Sequence, residues 1–131
     1  MSLKHFSRKH ETILFVCVGD LVIDVVKSMV DDEFGAALVM SDSDELLGIF
    51  TDRDVVSKVV YASVDTERTP ISEVMSQDVV TINEVESLDA AIHCIQNNQI
   101  SHLPIDGEKG GVVGMLTIRR LFHDKVTELL N

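Results

Sequence analysis

The chain has 131 residues, 45% of them hydrophobic and 25% charged, ordinary values for a globular protein large enough to hold a real core. With 22 acidic and 11 basic side chains its net charge is −11, which argues against a nucleic-acid or anionic-membrane surface, because phosphate binding needs a basic face. No apolar run approaches the ~20 residues a membrane helix needs, and no signal-peptide core precedes Glu11.

The opening Met1-Ser2-Leu3-Lys4-His5 reads as an extension without structural weight. Ile13 to Val18 is short, apolar and partly β-branched, so a strand is expected, broken by Gly19-Asp20. Val22, Val25, Val26, Met29 and Val30 recur at helical spacing and predict an amphipathic helix ended by Asp31-Asp32-Glu33 and Gly35. Ala36 to Met40 reads as a buried strand, Ser41 to Glu45 as a polar hairpin turn and Leu46 to Phe50 as the returning strand. Thr51 opens a second helix through about Tyr61. Ser63 to Pro70 is polar and ends in proline, as a linker does, and Ile71 to Met75 can form one helical turn. The series then returns. Val79 to Ile82 is extended, Ser87 to Asn98 is helix with Leu88, Ala91, Ile92 and Ile95 on one face, and His102 to Ile105 is strand. Asp106 to Gly111 is a turn, Val112 to Leu116 a strand, and Thr117 to Leu130 a helix with Leu121, Phe122, Val126 and Leu129 inward. Met29 and Met40 read as core. Cys17 and Cys94 are isolated among apolar residues and read as two buried thiols of a reduced, cytoplasmic protein.

The return is a repeat. Gly48-Ile49-Phe50-Thr51-Asp52-Arg53-Asp54 comes back as Gly114-Met115-Leu116-Thr117-Ile118-Arg119-Arg120, and in the same register Lys27 to Met40 lies over His93 to Asp106. The fold class is therefore α+β: two β-α-β-β-α repeats, expected to pack with pseudo-two-fold symmetry, since neither copy can bury its apolar face alone. The expected organisation is an extension (1–11), a first repeat (12–62), a linker (63–70) and a second repeat (71–131).

These features resemble the CBS family, in the tandem pair called a Bateman module. The family's signature, Gly-hydrophobic-x-Thr/Ser-x-x-Asp at the last strand-to-helix junction, stands complete at Gly48 to Asp54. The second copy reads Ile100-Ser101-His102-Leu103-Pro104-Ile105 and then Gly114 to Thr117, and Met75 to Ile82 is similar to a repeat's entry strand. The resemblance covers about residues 12 to 130. Two departures bear on ligand binding. Arg120 replaces the final acid, and Leu14-Phe15 stand where the second copy has Val80-Thr81.

Two readings of the signature stand side by side. Thr51 can cap the helix, and Thr51-Asp52-Arg53-Asp54 resembles a capping box with aspartate in place of glutamate. The same helix start suits a phosphate, Asp54 can accept from two ribose hydroxyls and Arg53 can supply charge. The resemblance implies the second use, with an adenosine-containing nucleotide in a cleft between repeats where Thr51, Arg53 and Asp54 face Thr81, Ile82, Ile100, Ser101, His102 and Pro104. The other cleft would gather Thr117, Arg119, Arg120, Phe15, Phe34, Gly35 and Ala36. It is expected to be empty or to hold only an anion, because a guanidinium cannot accept ribose hydroxyls. Arg120 reads either as a solvated surface arginine or as reaching a phosphate. His102 reads equally as a partly buried strand residue, while His93 and His123 read as helix-surface residues.

No metal site is expected. Asp42 to Arg53 lacks the glycine and glutamate of a calcium loop, and no histidine or cysteine has zinc-ligand spacing. No nucleophile–base pair or phosphate loop marks an enzyme, and no catalytic cofactor is expected. The resemblance implies a stand-alone regulatory module that binds AMP, ADP, ATP or S-adenosylmethionine, associates as a homodimer through its helices and signals to a regulated protein. The rival reading is a ligand-free dimerisation module. No attached catalytic domain, nucleic acid or membrane partner is expected.

Overall fold

A computed structural model describes residues 2–6 and 13–130. They form two compact units, one of residues 13–79 and the other of residues 2–6 together with 80–130.

In the first unit the apolar runs pair as expected. Strand β1 (Phe15–Cys17) lies parallel to β2 (Ala36–Met40), which pairs antiparallel with β3 (Leu46–Thr51). The entry strand therefore joins the hairpin in one three-stranded sheet, in the order β1-β2-β3. Helix α1 (Val22–Asp31) buries Val22, Val25 and Met29, whereas Val30 is 69% exposed, so the expected apolar face is one residue too wide. The first N–H groups of a helix lack partners of their own. Here Val22 N–H donates to the Thr69 carbonyl (2.9 Å) and Ile23 N–H to the Thr66 carbonyl (3.0 Å), so the polar segment read as a linker caps α1 with its backbone. At the other end Glu33 adopts φ 60°, and Phe34 N–H reaches back to the Met29 carbonyl (2.9 Å), a left-handed stop usually given to glycine.

The helix after β3 begins as α2 (Asp52–Asp54) and continues in wider π winding over Val55–Val60. A single 3₁₀ turn, Ile71–Glu73, follows the linker and buries Ile71 and Val74 in this unit's core beside Val16, Phe50 and Val59.

The second unit repeats the plan. Strand β4 (Ile82–Asn83) is parallel to β5 (His102–Asp106), which pairs antiparallel with β6 (Val112–Thr117). Both sheets slip register at matching places, between Val39 and Met40 and between Ile105 and Asp106. Helix α3 (Leu88–Asn98), capped by Ser87 through Ala90 N–H, buries Ala91 and Ile95 and stops at a left-handed Gln99 (φ 52°), the counterpart of Glu33.

Three expectations need correction. Helix α4 (Ile118–Leu130) buries no residue: Leu121 packs partly on the core, but Phe122 (71%) and Leu129 (73%) are exposed, as is Val126, because beyond its first turn none of the described residues of its own unit covers it. Cys17 is exposed and Cys94 only half-buried, since Cys17 falls on the outward side of a three-residue strand. The N-terminal segment does carry structural weight. Within the 3₁₀ turn Leu3–Phe6, Leu3 is wholly buried among Ile95, Leu103, Ile105 and Leu116, with its N–H on the Glu86 carbonyl (3.0 Å).

Candidate functional site

Gly48 explains why the first signature begins as it does. A Cβ there would collide with Met75 Sδ and stand 3.0 Å from the Ser76 carbonyl oxygen. The missing side chain lets Met75-Ser76 cross the open edge of β3, where Ser76 exchanges both backbone bonds with Ile49 (2.8 and 2.9 Å).

Three residues further on, Thr51 ends β3 in extended conformation (φ −111°, ψ 167°) and caps the helix. Its Oγ1 accepts Asp54 N–H at 3.3 Å, and Asp54 Oδ2 accepts Thr51 N–H at 2.9 Å. The expected capping box is thus made in full, with the shorter aspartate doing the work of glutamate. Such a box satisfies two helix-start donors and places a carboxylate at the positive end of the helix dipole, an arrangement worth about 1–2 kcal/mol.

The box leaves the rest of the carboxylate in use. The Asp54 side chain is only 13% exposed, and its Oδ1 lies 3.4 Å from Lys58 Nζ, one turn along the helix. Lys58 Nζ also donates to Ser76 Oγ at 2.9 Å. Asp54, Lys58 and Ser76 therefore form one polar cluster over the β3 edge. Sequence reasoning missed Lys58 and Ser76. The four-residue spacing of Asp54 and Lys58 was a usable signal for the first, whereas nothing in the sequence announced Ser76. Arg53 is exposed, its N–H on the Asp52 carboxylate (2.8 Å), and Asp52 N–H donates to the Gly35 carbonyl (2.9 Å).

At the second signature Thr117 Oγ1 accepts Arg120 N–H at 3.0 Å, but no bond can return, because a guanidinium only donates. Arg120 is not a solvated arginine. Its side chain is 18% exposed, and its Nε lies 3.9 Å from Asp124.

The remaining site residues divide between the units. Thr81 and Ile82 are half-buried at β4, and Ile82 pairs with Ile105 in the sheet. Ile100 packs on the second core, and Pro104 is fully buried, so that ring serves the sheet interior. His102 is half-buried opposite Thr117, with Ser101 Oγ 3.0 Å from its Nδ1, and the Ser101 carbonyl accepts Ile118 N–H (3.1 Å). In the first unit Ala36 is buried opposite Thr51, Phe34 and Gly35 are half-buried, Phe15 is exposed, and Arg119 of the second unit is exposed. Strand pairing thus sets each signature threonine beside the matching segment of its own unit: Thr51 beside Gly35-Ala36, and Thr117 beside Ser101-His102. His93 and His123 lie on the surface, and among the described residues no three metal-ligating side chains gather.

The repeats seen in sequence and in structure coincide with a known family. The CBS domain model matches residues 9–61 and again 71–125. The chain belongs to the CBS domain family. It is 27% identical over 126 residues to the Arabidopsis thaliana CBS domain-containing protein CBSCBSPB5, an alignment covering 96% of this chain and 23% of that protein. Its CBS pair is thus similar to about a quarter of that relative's length. Among solved structures, a protein from Burkholderia ambifaria described as a signal-transduction protein with CBS domains superposes with a TM-score of 0.85 at 27% identity, covering 97% of this chain and 95% of that one. CBSX2, solved in complex with AMP, shares the fold with a TM-score of 0.78 at 16% identity, covering 96% of each chain. Two CBS repeats make this a CBS-domain pair. Among the described residues no helix is long and apolar enough to cross a membrane.

Proposed function

We propose that this CBS pair is a regulatory module that binds an adenosine-containing nucleotide in the cleft between its repeats, and that Thr51, Arg53 and Asp54 hold the sugar and phosphate. The carrying observation is the Asp54 carboxylate: mostly buried, oriented by its bond from Thr51 N–H, and set at a strand-to-helix junction. A carboxylate has about four acceptor positions, so the capping bond and the Lys58 contact leave room for two ribose hydroxyls. The AMP complex of the CBSX2 fold neighbour supports the ligand class. The adenine would lie against Thr81, Ile82, Ile100, Ser101 and His102. The Arg120 site lacks an acceptor for ribose and is proposed to bind an anion or nothing.

The output would be association with a second copy or with a regulated protein. The exposed Ile118, Phe122, Val126 and Leu129 of α4 supply an apolar surface for it. A ligand-free dimerisation module is the second reading, favoured by the complete capping box, which accounts for Thr51 and Asp54 without a ligand.

Thermal shift with AMP, ADP, ATP, NADH and S-adenosylmethionine separates the two. A ligand of the folded state at a hundredfold excess over its Kd adds about 2.7 kcal/mol of apparent stability. The variant to use is Asp54→Asn, which keeps a side-chain oxygen for the cap while removing the charge. A shift lost in Asp54→Asn supports the sensor; no shift with any adenosyl compound leaves the dimerisation module.

A further inference from the structure

We infer that Lys58 is the residue that selects the charge of the ligand: with Asp54 it forms a paired site for a diol beside an anion, and so favours a phosphorylated nucleoside over a neutral nucleoside or a cationic adenosyl sulfonium. The inference rests on the nucleotide reading of the Asp54 site. It starts from the polar cluster, not from the signature, which does not include position 58.

The geometry is specific. The Lys58 ammonium has three donors. One goes to Ser76 Oγ at 2.9 Å, and a second faces Asp54 Oδ1 at 3.4 Å, long for a charge-assisted bond. The third is available, and with the side chain 41% exposed the ammonium can meet a bound group. Ser76 fixes where the charge sits, because its backbone is clamped to Ile49 on both sides. Asp54 is held as firmly by Thr51 N–H. Acid and base are thus each anchored at a second point, so neither must swing away to admit a ligand. A sugar diol donating to the carboxylate would carry its attached phosphate within reach of an ammonium that is already desolvated on two sides. The same ammonium repels a sulfonium. A lysine that served only to neutralise Asp54 would not discriminate between ligands by charge.

The test is isothermal titration of the full chain with AMP, adenosine and S-adenosylmethionine, on wild type, Lys58→Met, Lys58→Arg and Asp54→Asn. A charge-assisted phosphate contact is worth roughly tenfold to a hundredfold in affinity. Wild type is expected to bind AMP at least tenfold more tightly than adenosine. That ratio should fall toward unity in Lys58→Met, and Lys58→Arg should restore it. Because the ratio is taken within one variant, a change in stability cancels. AMP binding that needs Asp54 but keeps its ratio to adenosine in Lys58→Met overturns the inference and leaves the nucleotide site intact. Failure of wild type to bind any of the three overturns the inference, and the nucleotide reading falls with it when ADP, ATP and NADH also give no thermal shift.

Discussion

The helices that begin at the two signatures carry the same pair of charges in opposite order. In the first repeat an acid opens the helix and a base follows four residues later, Asp54 then Lys58, 3.4 Å apart. In the second the base comes first and the acid follows, Arg120 then Asp124, 3.9 Å apart. The order matters twice. An acid at a helix start complements the dipole and a base there opposes it, and acid-before-base is the better orientation for a four-residue pair. Only the first order also leaves an acceptor to answer Thr51 N–H. The threonine alone is enough to start a helix, as Thr117 does. What the acid adds is a reciprocal bond and an oriented carboxylate, and the second repeat has neither at the matching position.

Several changes would break or sharpen this contrast. The largest effect is expected where the repeats are alike. Phe50 and Leu116 occupy matching positions at 0% exposure, so Phe50→Ala and Leu116→Ala should cost about 3–5 and 2–5 kcal/mol in urea unfolding. Equal sensitivity would show that both cores are indispensable whatever their signatures do. Next come the caps. Thr51→Ala and Thr117→Ala should each cost about 1 kcal/mol by removing a hydroxyl acceptor, and Asp54→Ala should also cost about 1 kcal/mol by removing the acceptor of Thr51 N–H, whereas Arg120→Ala takes no acceptor from its helix start. Equal losses in Asp54→Ala and Arg120→Ala would mean that the bond from Thr51 N–H to Asp54 contributes nothing. The smallest effect belongs to the exchange Arg120→Asp with Asp124→Lys, which copies the first repeat's order onto the second. It should stabilise by about 0.3–1 kcal/mol at low salt and lose much of that gain at high salt.

Much of this was legible in the chain, and the failures share a cause. The repeat, the two sheets' hairpins, the helices and the capping box follow from local pattern, and local pattern is what spacing and residue type encode. Periodicity shows which face of a helix is apolar, not whether anything lies against it, so Val30, Phe122, Val126 and Leu129 read as core and are exposed. Cys17 read as buried for the same reason, because an apolar neighbourhood in sequence does not fix the side of a short strand. Leu3 erred the other way. A lone leucine in a polar segment has no period, and its burial is decided by residues some ninety or more positions away. The site divided similarly: Thr51 and Asp54 were readable as a four-residue motif, whereas Lys58 was missed although its spacing from Asp54 was a usable signal. Ser76 arrives only because Gly48 leaves room for a distant segment.

That placement of Leu3 sets an order of events. The second unit takes part of its hydrophobic interior from residues 2–6 and the rest from residues 80–130, with the whole of the first unit between them. Closing so long a loop costs only slightly more entropy than closing a shorter one, but it cannot happen until the far end exists. On a ribosome the first unit can complete itself while the second waits, with its tail already made and its sheet not yet emerged. Leu3 and its 3₁₀ turn are therefore a clasp fastened last, and removing them would unfasten the repeat farthest from them in sequence.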